Sequence, residues 1–142
     1  MLKTTLLHPE ILSVLGSAGH GSKILIADGN YPFATRAHPN ARRVYLNLAP
    51  GLVSVTDVLR VLVNAIPIES AHVMLTDSGE APSIHEEFRT ILSPELDLQP
   101  LNRHAFYDAV RLDPDTALLI ATGEQRIFAN VILKIGVVPP PT

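Results

Sequence analysis

Short apolar runs alternate with helix-patterned segments along almost the whole chain, and this alternation limits the fold more than any other feature. Lys23-Ile24-Leu25-Ile26-Ala27 is apolar, rich in isoleucine and closed by Asp28-Gly29-Asn30, which predicts a buried strand that delivers Asp28 to its carboxyl end. Further strands are predicted near residues 43–48, 71–75, 98–101, 116–122 and 127–134, with a turn at Gly123-Glu124 between the last two. Helical spacing runs from about residue 8 to 18, starting at Pro9 and stopped by Gly19, and again over 55–66 before Pro67. A third helix is predicted over 84–92, where Ser83 and Glu86 form a capping-box pattern, and a fourth over 104–112. Such an order makes an α/β domain, a mixed sheet with helices packed on it, filling residues 1–142.

A chain of 142 residues is one ordinary domain that buries roughly 70% of its unfolded surface. Because 46% of residues are hydrophobic and only 18% charged, apolar surface is left over, and self-association is the expected way to cover it. A net charge of −3, with basic residues in pairs such as Arg42-Arg43, argues against a nucleic-acid partner. Absence of cysteine rules out disulfides, thiolate metal sites and a thiol nucleophile, and permits a reducing cytoplasm. With no apolar stretch of about 18 residues, and no apolar leader with a cleavage site, the expectation is a soluble cytoplasmic protein without a membrane span.

Four loops at predicted element ends hold chemically capable residues. In Gly19-His20-Gly21 the flanking glycines leave an imidazole accessible, and imidazole titrates in the range suited to proton transfer. From composition alone the plainer reading, a helix end where a cation meets the negative dipole, outweighs the catalytic one. In Asp28-Gly29-Asn30-Tyr31-Pro32 a carboxylate could accept hydrogen bonds from ligand hydroxyls or orient an imidazole, although Asp-Gly and Gly-Asn are also favoured turn pairs. Asn102-Arg103-His104 pairs a guanidinium fork with an amide, where a solvated arginine is the plainer alternative. Thr122-Gly123-Glu124-Gln125-Arg126-Ile127-Phe128-Ala129-Asn130 could complete a polar pocket with backbone groups and the Asn130 amide, or be a hairpin loop.

The remaining histidines lack metal-ligand spacing, and Ser83-Ile84-His85-Glu86-Glu87 fails the His-Glu-x-x-His pattern, so no metal is expected. Dinucleotide-binding, phosphate-loop and Gly-x-Ser-x-Gly signatures are also missing.

Taken in order, these segments resemble the family of ribose pyranases and fucose mutarotases across nearly the whole chain. The resemblance is carried by the opening Met-Leu-Lys, the Pro-Glu-Ile-Leu helix, Gly19-His20-Gly21 and Asp28 with Pro32. It continues through Asn102-Arg103-His104-Ala105-Phe106-Tyr107, Thr122-Gly123-Glu124 and Asn130-Val131-Ile132-Leu133-Lys134 with Gly136-Val137. Each motif alone is weak and the ordered set is specific.

The resemblance implies an isomerase that interconverts anomers or ring forms of a free monosaccharide without cofactor or metal. It makes His20 the proton donor, and Asp28, Arg103 and the segment Phe128-Ala129-Asn130 the sugar-binding residues. It also implies a homo-oligomeric ring, commonly a decamer. Arg103 stands in a slot where ribose pyranases tend to carry histidine, which favours L-fucose over D-ribose. The chain departs from the family where Phe128 replaces the usual tyrosine, where the loop from Asp28 to Arg36 differs from that of either branch, and where His104 replaces a phenylalanine beside Arg103. Loss of that phenolic hydroxyl keeps open a noncatalytic sugar-binding or transport-associated subunit, as well as a D-ribose pyranase.

Overall fold

A computed structural model describes all residues, 1–142. Ten elements follow in chain order: α1 (Pro9–Ser17), β1 (Lys23–Ala27), β2 (Arg42–Tyr45), α2 (Val55–Leu62), β3 (Ile68–Met74), α3 (Ile84–Ile91), β4 (Leu98–Leu101), α4 (Arg103–Arg111), β5 (Thr116–Ala121) and β6 (Val131–Ile135). The strands form one sheet in the order β2-β5-β1-β6-β3-β4. Neighbours pair parallel except on either side of β6, which runs against both β1 and β3. Five strands therefore share one direction, and the carboxyl ends of β1, β3, β4 and β5 meet the amino end of β6 along one edge.

Alternation of side chains along a strand divides the core into two. Ile24 and Ile26 of β1, Leu118 and Ile120 of β5, and Val131, Leu133 and Ile135 of β6 face a layer containing Ile11 of α1, Val55, Leu59 and Leu62 of α2, and Ile84 and Phe88 of α3. Leu25 and Ala27, Leu119 and Ala121, and Ile132 face the other layer, with Phe106 and Val110 of α4 and Tyr31, Ala37 and Ala41 of the β1–β2 connection. The central strands are thus covered on both faces, which explains why β1 is a continuous apolar run rather than an alternating one. Burial of such side chains contributes roughly 1.5–3 kcal/mol each.

The structure bears out the α/β class and the element order, and corrects several details. No hairpin joins the last two strands: β5 and β6 are separated by β1, and residues 122–130 cross over as a loop. The last strand starts at Val131 rather than residue 127, because Phe128 takes a left-handed backbone (φ 58°) that no strand accommodates. The Ser83–Glu86 capping box does not form, since Ser83 is itself helical in conformation and its side chain caps nothing. A reciprocal box closes at Ser54 and Asp57 instead, at the start of α2. That helix ends at Leu62, short of residue 66, and β2 ends at Tyr45, short of residue 48.

Candidate functional site

The edge where the carboxyl ends of the parallel strands gather is the usual location of ligands in open α/β sheets. Four of the six anticipated site residues converge there, and a fifth, Ala129, expected as a sugar contact, is fully buried behind them with its N–H bonded to Asp28. Asp28 follows β1, Arg103 opens α4 just after β4, and Phe128, Ala129 and Asn130 precede β6. Between them lies a cleft of about 390 Å³, lined by Asp28, Tyr31, Arg103, Tyr107, Phe128 and Asn130 among others, a size suited to a small molecule.

Asp28 is 2% exposed and organises the floor of this cleft. Its Oδ2 accepts from Ala129 N at 3.0 Å and Asn130 Nδ2 at 3.2 Å, its Oδ1 accepts from Asn30 N at 3.0 Å, and its own N–H donates to Asn130 Oδ1 at 2.7 Å. These bonds follow from register, because Ile26 pairs with Val131 and the two chains leave the sheet side by side. Burial pushes the Asp28 carboxyl above its ordinary range, against backbone donors led by Ala129 that pull it down. The same clamp holds Phe128 at its positive φ, a conformation costing on the order of 1 kcal/mol for a residue with a side chain.

Ahead of that clamp, Glu124 and Arg126 brace the loop. Glu124 Oε1 accepts from Arg126 N and Nε at 3.1 and 2.9 Å, and its Oε2 accepts from Arg126 Nη2 at 3.0 Å and from Val55 N at 3.1 Å. Arg126 Nη1 also reaches Glu87 of α3 at 2.6 Å. Burial raises the Glu124 carboxyl, but the Arg126 hydrogen bonds outweigh it and leave it below the ordinary range. Gly123 admits no side chain here, since a Cβ would stand 2.2 Å from the Ala49 carbonyl oxygen.

Arg103 supplies the cationic wall of the cleft. Its Nε is buried and makes no aligned hydrogen bond, its nearest carboxylate oxygen being Asp77 Oδ1 at 3.4 Å, which leaves the terminal amino groups of the fork for a ligand. The other walls are aromatic: Tyr31 and Tyr107 meet edge to face at 5.4 Å, with the Tyr31 hydroxyl donating to Arg36 O at 2.6 Å. Tyr107, which the sequence offers only as the end of the Asn102–Tyr107 motif and not as a site residue, lies four residues after Arg103 and so shares its helix face. Tyr31 lay in a suspected loop without being singled out. The arrangement offers hydroxyl-binding carboxylate, amide and guanidinium groups beside flat apolar surfaces, as a polyhydroxylated ring requires.

His20 is elsewhere. It precedes β1 whereas Asp28 follows it, and at roughly 3.3 Å per residue the strand alone keeps the two ends ~13 Å apart. At that opposite edge His20 Nε2 lies 2.9 Å from Glu69 Oε2, and Lys134 Nζ lies 3.1 Å from Glu69 Oε1. Lys134 and His20 together hold the Glu69 carboxyl below its usual range. The imidazole is largely exposed, with 59% of its side-chain surface open to solvent. Within one chain, then, the structure assembles the polar, aromatic-walled cleft and the imidazole as two separate centres.

No group of three or more metal-ligating side chains comes together, and no helix is long and apolar enough to cross a membrane.

Comparison with known proteins adds independent findings. A family model described as the RbsD / FucU transport protein family matches residues 1–138. The fold is similar to Bacillus subtilis RbsD complexed with D-ribose, at 26% identity over 97% of this chain and 99% of that one, TM-score 0.82. It is equally similar to the fucose mutarotase of Streptococcus pneumoniae in complex with L-fucose, at 27% identity over 98% and 100% of the chains, TM-score 0.82. FucU from Bifidobacterium longum is 30% identical over 92% and 94% of the chains, with a TM-score of 0.75.

Proposed function

The chain belongs to the RbsD/FucU family, and on that footing we propose that it is a monosaccharide mutarotase or pyranase, an isomerase that interconverts ring forms of a free sugar. The observation that carries this reading is the cleft in which the Arg103 guanidinium, the Asp28–Asn130 clamp and the Tyr31 and Tyr107 rings converge. Asp28, Arg103, Asn130 and the backbone at Phe128 hold the sugar, and Ala129 acts behind them by giving its N–H to Asp28. L-Fucose or a similar sugar is the favoured substrate, because Arg103 occupies the slot that ribose pyranases tend to fill with histidine.

His20 is the proton donor, and it reaches the sugar from a second copy of the chain. The imidazole is exposed and lies at the opposite edge from its own cleft, so only association of copies brings the two centres together. A homo-oligomeric ring does this with one repeated contact, head to tail. It also covers part of the exposed apolar surface, which includes Leu48, Leu52 and Ile127.

The chemistry needs only proton transfer. His20, protonated, delivers a proton to the ring oxygen while a water removes the anomeric hydroxyl proton, and the bond between the anomeric carbon and the ring oxygen breaks to give the open-chain aldehyde. Rotation and reclosure on the opposite carbonyl face, with the proton movements reversed, yield the other anomer. General acid–base contributions of about 10²–10⁴ in rate are sufficient for a reaction that free sugars already undergo unaided.

A noncatalytic binding subunit is the competing reading, favoured by the missing hydroxyl at Phe128. Magnetization-exchange NMR on L-fucose, D-ribose and related free sugars separates them. Exchange between α and β anomers should accelerate when the protein is added and should lose that gain with His20→Ala. Binding without acceleration for every sugar in the panel sinks the isomerase reading.

A further inference from the structure

Arg103 occupies the first position of α4, where the unpaired backbone N–H groups concentrate positive charge. A cation is electrostatically misplaced there, and α4 has no acidic residue in its first turn to offset it. The counter-charge comes from a different element. After β3 the chain closes a tight turn in which Thr76 N donates to Glu80 O and Gly79 N to Thr76 O, both at 2.9 Å, and Glu80 N to Thr76 Oγ1 at 3.1 Å. Gly79, at φ +84°, permits the closure. The turn presents Asp77 with its Oδ1 3.4 Å from Arg103 Nε. Because the buried Nε–H makes no hydrogen bond, this contact is a charge pairing and not an aligned bond, so the fork is steadied without being consumed.

We propose that Asp77 is a specificity-determining residue: it positions the Arg103 guanidinium and cancels its charge, so that the cleft accepts a neutral free sugar and rejects a sugar phosphate. The inference rests on the reading of Arg103 as a sugar-holding residue given above. An arginine alone on a pocket wall is a strong bidentate anion receptor. With Asp77 beside it and Asp28 on the floor, the Arg103 charge is offset by carboxylates on both sides, and an entering phosphate loses the attraction of an uncompensated cation. Neutral hydroxyls lose nothing by this, since they need only the donors of the terminal amino groups and the acceptors of Asp28 and Asn130.

The test is isothermal titration of the intact protein with L-fucose and with L-fucose 1-phosphate, alongside anomer-exchange kinetics. Asp77→Asn keeps the shape and removes the charge. Since an exposed pair is solvent-screened, the changes should be modest: KM and Kd for L-fucose rise about three- to fivefold with kcat unchanged, while affinity for the phosphate strengthens by a similar factor. The phosphate gain should vanish in high salt, and Asp77→Glu should restore the wild-type preference. Equal weakening of both ligands would mean that Asp77 only supports the turn, and no change in either would mean that the pairing is idle; both overturn the proposal. If wild-type protein binds neither ligand and accelerates no sugar, the functional reading itself fails and this inference falls with it.

Discussion

Replacing Asp28 separates the clamp from the bare presence of a polar residue. In Asp28→Ala, two fully buried donors lose their oxygen acceptor, Ala129 N outright and Asn130 Nδ2 with only the weak acceptor Met74 Sδ left at 3.7 Å, and Asn30 N loses one that is partly solvated. An unsatisfied buried donor costs about 1–3 kcal/mol, so the variant should be destabilised by roughly 2–4 kcal/mol. For a domain of this size that lowers Tm by about 5–15 °C. Asp28→Asn behaves differently. Its amide oxygen can take the Oδ2 position and keep both buried donors satisfied, while its NH2 faces Asn30 N and forfeits only that bond, a loss of about 1 kcal/mol. Urea denaturation of wild type and both variants at pH 7 gives the ranking directly, provided the m-value is unchanged. Equal stability of the two variants, or Asp28→Ala within about 0.5 kcal/mol of wild type, would refute the claim that these hydrogen bonds fix the loop.

Gly123→Ala forces a Cβ to 2.2 Å from Ala49 O and 2.6 Å from Leu52 O, both rigid backbone atoms, and should cost at least about 1–3 kcal/mol by thermal melting. Gly16→Ala, inside α1 with nothing within 4 Å of the new methyl, should instead stabilise by about 0.5–1 kcal/mol. Arg126→Met strands the buried Glu124 carboxylate, which protonates more readily once its partner is gone. The loss in Tm should therefore be greater at pH 8 than at pH 5. Burial lowers the His85 pKa below its ordinary 6.5, so beneath pH 6.5 the unfolded chain takes up a proton that the folded one resists, and stability falls as the pH drops through that window. His85→Leu should flatten the Tm-against-pH slope without abolishing it, because His72, also lowered by burial, remains.

Elements whose signals are local were legible in the sequence. The apolar run marks β1 at Lys23–Ala27, and Pro9 and Gly19 bracket α1. Where pairing across the sheet decides, the sequence was silent. Nothing local shows that β1 inserts between β5 and β6, or that Glu124 is drawn to the start of α2. The Ser83-x-x-Glu86 pattern was present without its bonds, because the chain after Pro82 is already helical at Ser83. For the site, a turn before β1 and a turn after it must lie at opposite ends of that strand, so the separation of His20 from Asp28 was deducible in advance. Glu69 beside His20, and Asp77 beside Arg103, depend on where β3 and β4 lie in the sheet and carried no motif.

The central claim, that sugar ring forms interconvert in a cleft of one copy served by His20 of another, is tested most directly by mixing two inactive proteins. His20→Ala keeps the cleft and Arg103→Met keeps the imidazole. Each alone should fail to speed anomer exchange of L-fucose in magnetization-exchange NMR. After co-refolding in equal amounts, random assembly should pair an intact cleft with an intact His20 at about one site in four, and recover exchange in that proportion. Wild-type protein that accelerates exchange while the mixture stays silent would contradict the shared site.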